Sequence, residues 1–169
     1  MWRKLKVNSE ACVANRIPEQ VPPIFKRLNH DWNAEPNAPD PKVEVSGPTV
    51  RISFFLNPWL YAADEGEKGG LIFERCSGWR LGPTNDHGWF MGQCRYSKIA
   101  PAWGEFYELI GDDKHQLLPT DWHEIGPLWP QGRHFLFYLR DETFECFATE
   151  WRFERKAPAS LYGASSVSP

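Results

Sequence analysis

The chain has 169 residues, suited to one domain, with a net charge of −3 and 41% hydrophobic residues. That balance, with no long Lys/Arg run, argues against a duplex nucleic-acid binder. No apolar stretch reaches the roughly 18 residues of a membrane span, and no signal-like apolar run opens the chain.

Nine Trp, eleven Phe and five Tyr favour strands, and fifteen Pro with thirteen Gly favour turns over long helices. The fold class expected is β-rich α+β: a curved, mainly antiparallel sheet of about six strands carrying short N-terminal helices. A closed barrel is the alternative. Residues 1–155 read as a single domain. The Ala/Ser/Gly/Pro-rich residues 156–169 read as a disordered tail.

In chain order, Trp2, Leu5 and Val7 suggest an edge strand. Ser9 could cap a short helix ended by Pro18. A second short helix is expected from Pro22-Pro23, with Ile24, Phe25 and Leu28 near helical spacing. Val43 and Val45 precede a Gly47-Pro48 turn, and Thr49–Leu56 is a strand by its β-branched and aromatic content. Trp59–Ala63 is a candidate helical turn. Leu71–Leu81 reads as one long strand, Gly82–Gly88 as a turn, and Trp89–Tyr96 as the returning strand, pairing Trp79 with Met91 and Cys76 with Cys94. Gly104–Ile110 is a further strand. His134–Arg140 and Thr143–Phe153 form a final hairpin. A two-residue Asp141-Glu142 turn there sets Phe137 opposite Cys146, and places Phe135, Phe137, Leu139, Phe144 and Cys146 on one buried face. The opposite face, with His134, Leu136, Tyr138, Glu145 and Phe147, is also partly apolar, so something should cover the hairpin on both sides.

Motifs for common chemistries are absent. There is no GxxxxGK[ST], GxGxxG after a strand, or GxSxG, and His123-Glu124 lacks the second His of HExxH. The four cysteines form no CxxC pair, and reduced thiols in a cytoplasmic protein are expected. Catalysis by Cys94, a metal at Asp112-Asp113-His115 and a glycosidase pair at Glu105 and Glu108 each lack supporting spacing. No catalytic residue, metal ligand or cofactor is assigned.

The densest polar and aromatic segment runs from Trp79 to Tyr96. Its ordinary reading is turn chemistry, since Asn, Asp, His and Gly are common turn residues. Its functional reading is a ligand site of Trp79, Arg80, Asn85, Asp86, His87, Trp89, Arg95 and Trp103, with aromatic walls and an arginine holding an anion. A buried arginine there requires an acceptor, either ligand or carboxylate. Two functions follow. The first is a non-enzymatic protein that binds another macromolecule, most simply another protein, through exposed aromatics. The alternative is a small-ligand-binding β domain or enzyme built on that pocket. Convergent aromatics would favour the second, and an exposed contiguous patch the first.

Overall fold

A computed structural model describes residues 22–97, 99–111, 119–126 and 129–156. The expected N-terminal strand, the Ser9 helix, Cys12, the Asp112-Asp113-His115 group and all of the expected C-terminal tail but Lys156 lie outside those residues.

Among the described residues, ten strands form two antiparallel sheets. β1 (Ile24–Arg27), β5 (Gly78–Pro83), β6 (Phe106–Ile110), β7 (His123–Glu124), β8 (Arg133–Tyr138) and β9 (Glu142–Ala148) make a six-stranded sheet in the order β1-β6-β8-β9-β5-β7. β2 (Lys42–Ser46), β3 (Thr49–Phe55), β4 (Lys68–Glu74) and β10 (Glu150–Lys156) make a four-stranded sheet in the order β10-β4-β3-β2. The sheets pack face to face, and neither closes into a barrel. Among the described residues no helix is long and apolar enough to cross a membrane.

Alternation builds the shared core. Val50, Ile52, Phe54, Leu71 and Phe73 of the smaller sheet meet Phe106, Phe135, Phe137, Phe144 and Cys146 of the larger one. Phe73 touches the rings of Phe106, Phe135 and Phe144, with centroids 5.4–6.0 Å apart. The outer face of the smaller sheet is a charged ladder in which Arg152 bonds Glu74 and Arg51 pairs with Glu154.

The helix expected from Pro22-Pro23 is instead strand β1, paired with β6 so that Phe25 lies opposite Leu109. Phe25 packs edge-on against Tyr96 and Tyr107. Over four residues an apolar spacing fits either period, and pairing with an existing strand edge decides it.

The two long strands expected, Leu71–Leu81 and Thr143–Phe153, are each bent in two. β4 and β10 pair in one sheet, while β5 and β9 pair in the other. The breaks fall at Arg75–Ser77, where Arg75 has φ +49°, and at Thr149. Thr149 N–H donates to the Glu74 carbonyl and Ser77 N–H to the Phe147 carbonyl, so one continuous ribbon turns a corner and joins the two layers.

Phe135, Phe137, Leu139, Phe144 and Cys146 share the buried face as expected. The register is two residues tighter than expected, with Phe137 opposite Phe144 and Phe135 opposite Cys146. A three-residue connection, 139–141, replaces the Asp141-Glu142 turn: Glu142 already belongs to β9, and Leu139 N–H donates to its carbonyl at 2.8 Å, in keeping with the poor fit of Asp-Glu to the left-handed backbone of a two-residue turn.

Among the described residues, the outer face of the six-stranded sheet is covered by the segment after β5. Asn85 caps a short helix, α1 (Asp86–Phe90), its side chain accepting from Gly88 N–H at 2.7 Å. Gly92, at φ +74°, then turns the chain back. No strand forms at Trp89–Tyr96, and the pairings Trp79–Met91 and Cys76–Cys94 do not occur; Trp79 lies opposite Cys146. Trp89, Tyr96, Ala100 and Trp103 instead join a second apolar cluster with Phe25, Tyr107, Leu109, Leu136 and Tyr138. Tyr138 Oη–H donates to the Arg95 carbonyl at 3.1 Å, fixing this cap on the sheet.

Candidate functional site

On that outer face, at the boundary of the cap, lies a fully buried carboxylate. Glu145 projects from β9 directly opposite Arg80 of β5. Arg80 donates from Nη1 to Glu145 Oε1 at 2.6 Å. His134 of β8 meets Oε2 through Nε2 at 2.9 Å, and Arg95 of the cap reaches the same oxygen at 3.4 Å. An ionised carboxylate only accepts, so Nε2 carries the proton. Burial alone would push the Glu145 carboxyl up, but the hydrogen bond from His134 and the charges of Arg95 and Arg80 hold it below the usual carboxylate range.

Arg80 is held on its other edge as well. Nε and Nη2 bond the two oxygens of Asp121 at 2.8 and 3.0 Å, a bidentate pair. The Arg80 bonds keep Asp121 below the ordinary carboxylate range. Gly82 makes this possible, because a Cβ there would sit 2.4 Å from Arg80 Nη2. Gly82 also lies opposite Thr143, leaving the sheet bare beside that residue.

The space so left is a cavity of about 100 Å3, lined by Arg80, Thr84, Gln93, Cys94, Arg95, Thr143 and Glu145. Thr143 is buried, and its hydroxyl has no hydrogen-bond partner among the described residues. A second, larger cleft of about 280 Å3 shares the Thr84, Gln93 and Cys94 wall and adds Pro83, Asn85, Gly88 and Asp141. Together they form a two-part cleft between α1 and the end of the β5–β9 pair. Cys94 stands in both parts as a thiol, since burial pushes it up despite the hydrogen bond with Ser97. It is therefore not a poised nucleophile.

The structure distributes the eight expected site residues unevenly. Arg80 and Arg95 meet at Glu145, largely shielded from water. Asn85 lines the larger cleft. Asp86 and His87 are exposed on α1 and reach neither part. Trp89 and Trp103 pack together, centroids 6.1 Å apart, but as part of the apolar cap under Tyr138 rather than as cleft walls. Trp79 points to the opposite face of the sheet, against the shared core, where it stacks on His123. An aromatic pocket of Trp79, Trp89 and Trp103 therefore does not form, because strand alternation separates Trp79 from its neighbour Arg80.

Glu145, Thr143 and His134 escaped the sequence reading of the site. The available signal was a lone carboxylate in the apolar run Thr143–Ala148, on a hairpin expected to be covered on both faces. A charge placed there must be paired. No protein-family model matches the chain, and no curated protein or solved structure matches it either.

Proposed function

We propose that this domain binds a small polar molecule in the cleft between α1 and the β5–β9 pair. The observation that carries the reading is the cavity floor, where a fully buried, ion-paired Glu145 adjoins a buried Thr143 hydroxyl without a partner. A buried ion cluster is a poor device for stability, since apolar packing of equal volume commonly serves as well or better. A buried hydroxyl left unbonded costs free energy that a ligand can recover. Within the cleft, burial pushes the Cys94 thiol up, which favours binding over thiol catalysis.

The test is a thermal-shift screen of polar fragments against the native chain and a Thr84→Trp variant, whose indole would fill the wall shared by both parts. Hits that stabilise the native protein and lose their effect on the variant support the reading. Hits that stabilise both proteins equally contradict it.

A second reading, binding of another protein, is favoured by Trp59 and Leu60. Both are well exposed on the turn after β3, at 67% and 79%. Their N–H groups bond the buried Asn57 side chain at 3.0 and 3.3 Å, so the two apolar groups are presented on a fixed turn.

A further inference from the structure

We infer that the group entering the inner cavity is the carboxylate of a small monocarboxylic acid, held by Arg80 and Thr143. The inference rests on the ligand-binding role proposed for the cleft and names the ligand class.

The argument begins with what the cavity has left to offer. Every side chain lining it is polar or a thiol, so an alkyl or aryl group would strip water from hydrogen-bonding groups and return nothing. Glu145 is already served on both oxygens, Oε1 by Arg80 and Oε2 by His134 and Arg95. Three donors thus converge on it, and most of its accepting capacity is taken within the protein.

Donors remain. A guanidinium carries five N–H groups. Arg80 commits Nε and one N–H on Nη2 to Asp121, and one on Nη1 to Glu145. One N–H is left on each terminal nitrogen. The Thr143 hydroxyl, across the pair from Gly82, is a further donor with no partner among the described residues. A group that accepts several bonds and donates none fits this set, and a carboxylate beside a guanidinium is the strong form of that contact.

Size and charge narrow the class. A volume of about 100 Å3 admits a group of a few heavy atoms, with the remainder of the molecule lying in the larger cleft. The charged groups lining the inner cavity are Arg80, Arg95 and Glu145, a surplus of one positive charge that one carboxylate neutralises, and Asp141 lines the larger cleft, so a second negative charge on the ligand would be repelled. A monoanion is favoured over a dianion such as phosphate.

The experiment is calorimetric titration of the full chain at constant ionic strength with acetate, glycolate and butyrate, with the amides of the same three acids, and with inorganic phosphate. Amide NMR shifts at Gln93, Cys94 and Thr143 report the location. The carboxylates should bind at least about tenfold tighter than their amides and than phosphate. Thr143→Val should weaken the carboxylates by about tenfold, as expected for a lost hydrogen bond to a charged group, and leave the amides nearly unchanged. Thr143→Ser, which keeps the hydroxyl, should retain binding. Near-UV circular dichroism checks that each variant is folded.

Amides binding as tightly as the acids, phosphate binding tighter, or carboxylate affinity indifferent to Thr143→Val would each overturn the inference. If none of these probes binds while other polar fragments occupy the cleft, the inference falls and the binding role stands. If no fragment of either kind reaches the cleft, both fall.

Discussion

Replacing Glu145 by Gln removes one charge with almost no change of shape. Arg80 and Arg95, with side chains 12% and 19% exposed, would then face a neutral amide, and His134 would lose its charged acceptor. Glu145 itself is 0% exposed, so water does not screen the change. Removing one partner of a buried ion pair typically costs about 3–5 kcal/mol, because the remaining charges stay buried without compensation. The amide oxygen still accepts one bond, which places the expected loss near the lower end, about 3 kcal/mol. For a domain of this size that corresponds to a fall in Tm of roughly 6–12 °C, out of a total stability of about 5–15 kcal/mol. Urea unfolding followed by Trp fluorescence measures it directly. A loss under about 1 kcal/mol would show that the arginines reach water on their own, and the description of a closed charged floor would be wrong.

The pH dependence has a definite sign. The folded pKa of Glu145 lies below its unfolded value, so its contribution is full above the unfolded carboxylate pKa, about 4.3, and is lost as pH falls through the lower folded value. Glu105 and Glu142, pushed up chiefly by burial, act in the opposite sense and are common to both proteins. The difference between native protein and Glu145→Gln should therefore shrink as pH falls below about 4, and a difference that grew toward acid would contradict the assignment. Gly78→Ala would put a Cβ 1.9 Å from the Trp129 ring, and should cost about 1–3 kcal/mol by urea unfolding. Trp59→Ala and Leu60→Ala should change stability by less than about 0.5 kcal/mol, and a larger loss in either would mean that the turn serves the fold.

Strand content was readable where alternation met burial. Thr49–Leu56, the Phe135–Leu139 run and Phe144–Cys146 announce an apolar face, and each places it in the shared core. The bend at Arg75–Ser77 was not readable, because the inward positions stay odd across it (Leu71 and Phe73, then Trp79 and Leu81); at Thr149 they shift from even (Phe144, Cys146, Ala148) to odd (Trp151, Phe153), a break in alternation that the reading as one long strand passed over. Trp89–Tyr96 misled for a different reason. Its aromatics suit a strand, but the Asn85 cap and the turn at Gly92 are local devices that outweigh so short a pattern. The two arginines of the site stood out by polar density. Their partner Glu145 did not, since it lies fifty residues or more away in sequence, and only strand pairing brings it opposite Arg80. Trp79 illustrates the converse: adjacent in sequence to Arg80, it belongs to the other face.

Cys94 provides the most direct test of the cleft, because it lines both parts and is half-buried, while Cys76 and Cys146 are buried in the core. Alkylation of the native protein by iodoacetamide should proceed at Cys94 well ahead of those two thiols. The decisive measurement is the rate at Cys94, followed by peptide mass spectrometry, as a cleft-binding fragment is titrated. A molecule bound between α1 and the β5–β9 pair should slow that rate in proportion to its occupancy and leave Cys76 and Cys146 unaffected. An unchanged rate at saturating fragment would place the ligand elsewhere on the protein and contradict the account.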